Sequence, residues 1–327
     1  MNNSSNAAVM PVMTKKEKRR RKWEKVKRYK YLYVMMIPAV VTLLLFNYLP
    51  MFGILIAFKD YKLVGGVFGS PWAANHGMEY FIKLFSEPYA LKVLKNTILI
   101  SLYRLLWGMP APLLLALLIN EVGNKLFKKT VQTVSYLPHF LSWVIVAGII
   151  NNIFSPSSGI VPIITKLFTG SGSQMSLLTE PKYFRTVLVV TDIWKEIGWS
   201  SILYLATISG IDVSQYESAI IDGASRFQRM IYITLPSLIP LVVTLLIMRC
   251  GSILNGGFDQ IFNMQNEMVK DVSDIIDTYT YRIGLVEMDY GFSSAVGLFK
   301  SVVGIIMIFA TNWISKKLTG EDHALWA

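Results

Sequence analysis

Charged side chains inside apolar stretches are the first residues of this chain that could do chemistry. Five of them stand in long hydrophobic runs: Arg104, Asp192, Lys195, Glu196 and Arg249. Placing a charge at the centre of a membrane-spanning helix costs about 3 kcal/mol, so such charges usually serve a transport pathway or a structural pair. These positions therefore indicate either a polar route through a membrane or ion pairs that hold helices together.

Aromatic and amide residues accompany two of these charges. Trp194 and Trp199 bracket Lys195 and Glu196, and Asn255 follows in a later apolar run. Rings that stack on a sugar, together with amide and carboxylate groups that bond its hydroxyls, are a common means of carbohydrate recognition. We predict a substrate path formed by these five residues. A buried Lys195 ammonium would also suit the carboxylate of an acidic sugar fragment.

Two structural explanations for the same residues stay open. Asp192 and Lys195 are three positions apart in the sequence, which is the spacing of a local ion pair on a helix. Tryptophans commonly anchor membrane helices at the bilayer interface. That role would account for Trp194 and Trp199 without any substrate.

Composition places the chain among membrane proteins. Of its 327 residues, 53% are hydrophobic and 16% are charged, whereas charged residues make up about 25% of a typical soluble domain. The net charge of +11 comes mainly from residues 1–30, which hold eleven Lys and Arg against two Glu. The basic residues thus form one terminal block, and a nucleic-acid-binding face is not predicted.

Cysteine and histidine content argues against several kinds of site. The single cysteine, Cys250, excludes an intramolecular disulfide framework. The three histidines are scattered without ligand-like spacing, so no metal site is predicted. No Ser-His-Asp arrangement can be built from them either, and we expect no catalytic residues.

Six stretches are long and apolar enough to cross the roughly 30 Å hydrocarbon core of a bilayer as helices. We therefore predict an all-α, polytopic membrane protein with six transmembrane helices. The predicted spans are 31–57, 95–119, 131–154, 185–209, 237–262 and 293–315.

Positive charge sets the predicted orientation. Lys and Arg cluster in the N-terminal block and after the second, fourth and sixth spans, and such clusters stay in the cytoplasm. We expect a multi-pass protein of the bacterial plasma membrane with both termini cytoplasmic. The basic block would bind anionic lipid headgroups, or alternatively dock to a specific partner.

A cytoplasmic loop between spans four and five carries a distinctive pattern. At helical spacing it shows one apolar stripe, interrupted by Gly223, where the backbone can turn between two short helices. The polar face mixes acids with bases, which favours insertion into a groove of a partner protein over binding to a membrane surface. The stripe consists of Tyr216, Ala219, Ile220, Gly223, Phe227, Met230 and Ile231.

This loop resembles the EAA motif of ABC-importer permeases. Six positions match the motif in identity and spacing: Glu217, Ala219, Gly223, Ile233, Leu235 and Pro236. Ser218 replaces the usual alanine. Further positions are similar to the carbohydrate branch of these permeases, in the subfamily associated with oligosaccharide or polysaccharide-fragment uptake: Asn96-Thr97, Tyr136-Leu137-Pro138, Trp194, Gly198-Trp199, Phe258 to Phe262 and Tyr290 to Ala295.

The resemblance implies the type I ABC-importer permease fold and import by alternating access. Expected partners are a second homologous permease, two ABC ATPase subunits, an extracytoplasmic solute-binding protein and the oligosaccharide itself. ATP and magnesium would bind those ATPase subunits, because this sequence has no phosphate-binding Gly-x-x-x-x-Gly-Lys-Ser/Thr loop. The implied ATPase-coupling residues are Glu217, Ser218, Ala219, Asp222, Gly223, Ala224, Arg226, Phe227, Leu235 and Pro236.

Two rival functions would need no docking loop: an ion-coupled secondary transporter and a non-transporting sensor or scaffold. The EAA pattern favours neither. The predicted organisation is a basic tail over 1–30, a first helix and outer loop over 31–90, a permease core over 91–317 and a cytoplasmic tail over 318–327. Within that core, residues 211–236 form the predicted coupling loop.

Overall fold

A computed structural model describes residues 15–155, 159, 160 and 177–319 of the chain. Residues 1–14 of the predicted basic tail and residues 320–327 of the predicted C-terminal tail lie outside these described residues. The chain divides into two compact units, the first ending at Leu55 and the second beginning at Ile56. Every α-helix discussed below except the first two lies in the second unit.

The first unit contains one basic and one apolar helix. The α1 helix covers Lys15–Arg28, and its Arg20 Nε donates to Glu24 at 3.0 Å. Helix α2 covers Lys30–Leu43 and has no buried residue. A π-helical turn at Leu44–Tyr48 and a 3₁₀ segment at Leu49–Phe58 extend it. The predicted first span, 31–57, is therefore helical.

The second unit is helical throughout its described regular structure. Its helices are α3 Gly66–Gly69, α4 Glu79–Ser86, α5 Pro88–Gly108, α6 Pro110–Glu121, α7 Lys125–Tyr136, α8 Trp143–Phe154, α9 Pro181–Ser209, α10 Val213–Ile221, α11 Arg226–Arg229, α12 Leu235–Gly251, α13 Phe258–Met264, α14 Lys270–Ser273, α15 Ile276–Tyr281 and α16 Tyr290–Thr319. Short 3₁₀ segments occupy Asn75–Gly77 and Leu137–Phe140, and π-helical turns occupy Met230–Thr234 and Arg282–Val286.

Four helical segments are long and apolar enough to cross a membrane: Lys30–Phe58, Pro88–Glu121, Arg226–Gly251 and Tyr290–Lys317. A fifth candidate is bent by 102° between Lys125–Phe140 and Trp143–Phe154. The predicted span 185–209 is also one continuous helix, α9, but any 18-residue stretch of it contains three charges, at positions 192, 195 and 196. The count of six spans thus stays a prediction.

Two predicted spans differ in shape from the structure. The span 131–154 is not straight, because Pro138 has no backbone N–H and Ser142 starts a new helix by accepting a hydrogen bond from Ile145 N. The span predicted to reach residue 262 ends at Gly251. Residues 252–257 break the helix, and Gly257 with a φ of +87° precedes α13.

Helix α9 is the centre of the second unit and packs against α5, α6, α7 and α12. Three clusters of buried apolar side chains surround these helices. Phe184, Phe292 and Leu238, one from each cluster, are fully buried. The central placement of α9 brings its charged residues next to side chains from several other helices.

Polar contacts fix the segment between α13 and α16 onto α5. The carboxylate of Asp274 is buried and accepts hydrogen bonds from Tyr89 Oη at 2.5 Å and from Arg282 Nη2 at 2.7 Å. Asn96 Nδ2 donates to the carbonyl oxygens of Asp271 and Asp274. These contacts tie residues 271–282 to α5.

Candidate functional site

The coupling loop is two short helices joined by a sharp turn. Asp212 caps α10 by accepting a hydrogen bond from Ser214 N at 2.9 Å, and that bond holds the pKa of the Asp212 carboxyl below its usual range. Gly223 takes a φ of +78°, and the Ala224 amide donates back to Ala219 O at 2.8 Å. The predicted turn at Gly223 is therefore present, in a conformation that favours glycine.

The apolar residues of the loop point in two directions, which corrects the prediction of a single stripe. Tyr216 faces inward, and its hydroxyl lies 2.8 Å from the hydroxyl of Thr234 at the start of the next membrane helix. Ile220, Ile221 and Phe227 are instead exposed by 54%, 87% and 65%. The inward residues attach the loop to α12, and the outward ones form an apolar surface.

The charged residues of the loop lie at its surface. Glu217, Asp222 and Arg226 are exposed, as is Ser218. Glu217 does not cap its helix, because it is the fifth residue of α10 and Asp212 occupies the capping position.

A polar cavity of about 310 Å³ lies among α5, α9 and the end of α12. Its polar lining brings together four charged and three uncharged polar residues from between positions 101 and 255: Ser101, Arg104, Asp192, Glu196, Arg249, Ser252 and Asn255. Two residues of the predicted substrate path, Glu196 and Asn255, are among them. We refer to this space as the polar cavity.

Arg104 is held on one wall of the polar cavity by a residue that sequence reasoning missed. Its Nη2 donates to Gln260 Oε1, and its Nε lies 4.0 Å from Asp192 Oδ2. Gln260 is buried and also donates to Leu188 O at 2.8 Å. A Cβ atom at Gly257 would collide with the Arg104 guanidinium, so this glycine makes room for the cation. The sequence feature that could have indicated Gln260 is its place in the run Phe258 to Phe262, which is similar to carbohydrate permeases.

Glu196 also takes part in a second cluster, which it forms with Lys195 around the bend between α7 and α8. Lys195 is 5% exposed, and its Nζ donates to His139 O at 2.7 Å and to Glu196 Oε1 at 3.2 Å. His139 Nδ1 lies 2.7 Å from Glu196 Oε2, and its ring stacks on Trp199 at 4.5 Å. The local Asp192–Lys195 pair considered from the sequence is therefore wrong, because each residue pairs with a different group.

The remaining members of the predicted path separate by environment. Trp194 is 46% exposed and lies outside the polar cavity. Trp199 does not line the cavity. Its ring stacks on His139, which in turn pairs with the cavity residue Glu196. Asn255 lies in the helix break at the edge of the cavity. The structure thus brings Glu196 and Asn255 to one space and leaves both tryptophans outside it.

Arg249 is the cation that the cavity leaves available. It is exposed, and within the described part of the chain its side chain makes no hydrogen bond or ion pair. Arg104 with Asp192, and Lys195 with Glu196, are paired instead. Of the two cations that line the cavity, Arg249 is the one without a direct contact partner, although Asp192 interacts electrostatically with both Arg104 and Arg249.

The chain is similar over most of its length to known proteins. Protein LplB of Bacillus subtilis (strain 168) is 46% identical over 90% of this chain and 92% of its own. The polygalacturonan/rhamnogalacturonan transport system permease protein YteP of the same strain is 42% identical over 96% of each chain. A chain in the crystal structure of a bacterial ABC transporter involved in the import of the acidic polysaccharide alginate has a TM-score of 0.84 and 39% identity, covering 91% of this chain and 99% of that one.

Residues 108–320 match the family described as the binding-protein-dependent transport system inner membrane component. The matched region includes the coupling loop, the bent pair of helices and most of the polar cavity. The resemblance drawn from the EAA motif is confirmed, and a secondary transporter or a sensor is not the function. This chain belongs to that family and is a membrane-spanning permease subunit of an ABC importer.

Proposed function

We propose that this subunit conducts acidic oligosaccharides through the polar cavity, with Arg249 binding a sugar carboxylate. The observation that carries the proposal is the exposed guanidinium of Arg249, which makes no hydrogen bond or ion pair among the described residues, in a cavity whose other cation, Arg104, contacts Gln260 and Asp192. A guanidinium binds a carboxylate through two parallel hydrogen bonds. The relative named for polygalacturonan/rhamnogalacturonan transport and the transporter involved in alginate import support an acidic cargo.

Lys195, the residue first considered for this role, suits it less. Its ammonium is buried and already donates to His139 O and Glu196. A cargo carboxylate would have to displace these partners, whereas Arg249 has none to displace among the described residues. Arg249 also lies at the end of α12, the helix that starts directly after the coupling loop.

The energy for transport would come from two separate ATPase subunits that dock on the coupling loop. Its exposed apolar residues, Ile220, Ile221 and Phe227, suit a groove on such a partner. ATP-driven closure of the ATPase pair would move α10 and α11, and the contact between Tyr216 and Thr234 would carry that movement to α12. A second permease and an extracytoplasmic solute-binding protein complete the assembly, with both termini of this chain in the cytoplasm.

The test is uptake into liposomes that contain the complete importer, supplied with its solute-binding protein. The substrates are a uronate oligosaccharide and the same oligosaccharide with its carboxyl groups reduced to alcohols. Arg249→Gln should lower uptake of the acidic substrate at least tenfold and that of the neutral one less than threefold. Arg249→Lys should restore part of the acidic uptake, because it keeps the charge but loses the bidentate geometry.

Lys95→Gln is a matched control, because it removes an exposed cation from a residue outside the polar cavity. It should leave uptake of both substrates within twofold of wild type. Equal losses of acidic and neutral uptake in Arg249→Gln would contradict carboxylate recognition by Arg249.

A further inference from the structure

A second concavity lies beside the polar cavity, between the end of α12 and the middle of α16. Its volume is about 340 Å³, and we call it the side groove. Ser252 and Asn255 line both the side groove and the polar cavity. The two spaces therefore adjoin at the helix break.

A fixed ion pair stands at the side groove. Lys300, which lines the groove, pairs with Asp277, whose other carboxylate oxygen accepts a hydrogen bond from Gly256 N at 3.2 Å. The two side chains are 18% and 20% exposed, so they are accessible but held in place. Lys300 lines the groove and Asp277 reaches it through this contact, so the pair offers donors and an acceptor side by side with no net charge. Neighbouring hydroxyls of a sugar ring, which both donate and accept, match this arrangement.

A cargo carboxylate matches the pair less well than hydroxyls do. It would have to compete with Asp277 for the Lys300 ammonium, and it would approach the Asp277 charge. Like charges at such short range repel each other. The pair therefore favours the hydroxyl groups of a sugar over its acid group.

Bare backbone forms part of the groove surface. A Cβ atom at Gly297 would meet no atom within 4 Å, so space remains in front of this glycine. Ser301 Oγ donates to Gly297 O at 3.0 Å, which leaves the oxygen lone pairs of the hydroxyl available. Ile305 is 55% exposed and offers apolar surface to the flat face of a ring. Shape and chemistry together fit one sugar residue.

We propose that the side groove is a second sugar subsite, which binds through hydroxyls the residue linked to the one in the polar cavity. This inference rests on the proposed function and adds to it a second position with a different chemistry. One sugar would be held at Arg249 by its carboxylate, and the next at Lys300 and Asp277 by its hydroxyls. Two linked residues should therefore bind more tightly than one.

The experiment measures equilibrium binding of a uronic acid monosaccharide and of its disaccharide to the purified complex of both permeases and the ATPase subunits. Wild type should bind the disaccharide at least tenfold more tightly than the monosaccharide. Gly297→Leu fills the open space of the groove and should abolish this difference while leaving monosaccharide binding within twofold of wild type. Gly148→Leu is the matched control, because Gly148 also faces open space but lies on α8, outside both concavities.

A charge-free variant separates hydroxyl from carboxylate recognition. Lys300→Gln combined with Asp277→Asn keeps a donor beside an acceptor, so the disaccharide advantage should stay within threefold of wild type. Its complete loss in this double variant would show that charge is recognised and would overturn binding through hydroxyls.

Three further results would overturn the subsite. The first is an equal affinity of wild type for both sugars, and the second is an undiminished disaccharide advantage in Gly297→Leu. The third is loss of the second permease from the Gly297→Leu complex, which would assign the groove to a contact between subunits. Arg249→Gln separates the two proposals, because it should weaken both sugars equally and keep the disaccharide advantage. If wild type binds neither sugar, the proposed function falls together with the subsite.

Discussion

Lys195 is the buried cation whose neighbours change its expected role. Its contacts with His139 O and Glu196 predict that Lys195→Met lowers uptake of acidic and neutral oligosaccharides by similar factors, because the loss leaves Glu196 without a cation and His139 O without a donor. Parallel uptake measurements with both substrates check this expectation. A loss confined to the acidic substrate would instead indicate that Lys195 binds the cargo carboxylate.

Gly198 is the point at which α9 approaches the end of α7 most tightly. A Cβ atom there would collide with the carbonyl oxygen of Ser135, a backbone atom that cannot rotate away. Gly198→Ala should therefore destabilise the folded subunit by about 1–3 kcal/mol. The measurement is the fraction of detergent-purified complex that stays monodisperse after heating.

Gly148→Ala provides the control for that variant. Gly148 is also inside a membrane helix, but no atom lies within 4 Å of its added Cβ. Its thermal stability should equal or slightly exceed that of wild type, since alanine favours helix over glycine. Equal stability of the two alanine variants would show that α9 and α7 are not tightly apposed.

At the scale of residues, the sequence marked the right charges but could not pair them. Arg104, Asp192, Glu196 and Arg249 were conspicuous because charges are rare in apolar runs, and all four line one cavity. Their partners depend on helix packing over long separations, as with Arg104 and Gln260, 156 residues apart. No periodicity within a single helix contains that information.

Among the elements, the coupling loop depends on a left-handed residue at its turn. Gly223 has open space around its Cβ position, so a substitution acts through backbone strain rather than collision. Gly223→Val should distort the turn and raise the ATP hydrolysed per sugar imported, because a β-branched residue is strained at a φ of +78°.

Gly223→Asn is the matched control, since asparagine adopts the left-handed conformation far more readily. It should retain near-wild-type coupling in the same assay of hydrolysis and uptake. Equal coupling in the valine and asparagine variants would remove backbone conformation as the reason for glycine at this position.

The helix break after Gly251 and the bend between α7 and α8 are two features that hydropathy alone did not predict. Hydropathy continues across residues 237–262 and predicted one span, although Gly256 and Gly257 also predicted a broken helix end there. The structure confirms the break, which begins earlier, directly after Gly251, and the chain returns as α13. The bend between Phe140 and Trp143 was not predicted, although Pro138 and Ser142 both favour it locally. Apolar composition alone does not distinguish a straight helix from a broken one.

For the whole molecule, two exposed positions test the predicted orientation. Val64 is fully exposed in the loop before the second span, and Ile221 is 87% exposed in the coupling loop. In a Cys250→Ser background expressed without the ATPase subunits, which would cover Ile221, Val64→Cys should react with a membrane-impermeant maleimide on intact spheroplasts. Ile221→Cys should react only after permeabilisation, because the positive-inside rule places the coupling loop in the cytoplasm.

The Cys250→Ser parent is the control for that experiment and should remain unlabelled. Labelling of Ile221→Cys in intact spheroplasts would contradict the cytoplasmic position of the coupling loop. The comparison also examines the bent pair, since Val64 and Ile221 lie on opposite sides only if α5–α6, α7–α8 and α9 together make an odd number of crossings.

The contacts of α9 predict the order in which the helices enter the membrane during synthesis. Asp192 pairs with Arg104, and both Lys195 and Glu196 contact His139, so the partners of all three charges occur earlier in the chain. Ribosomes deliver those earlier segments first. Alone, each charge would cost α9 about 3 kcal/mol on entering the lipid. The translocation channel is therefore expected to release α9 into the bilayer only in company with α5 and α7, so that the order of synthesis becomes the order of assembly.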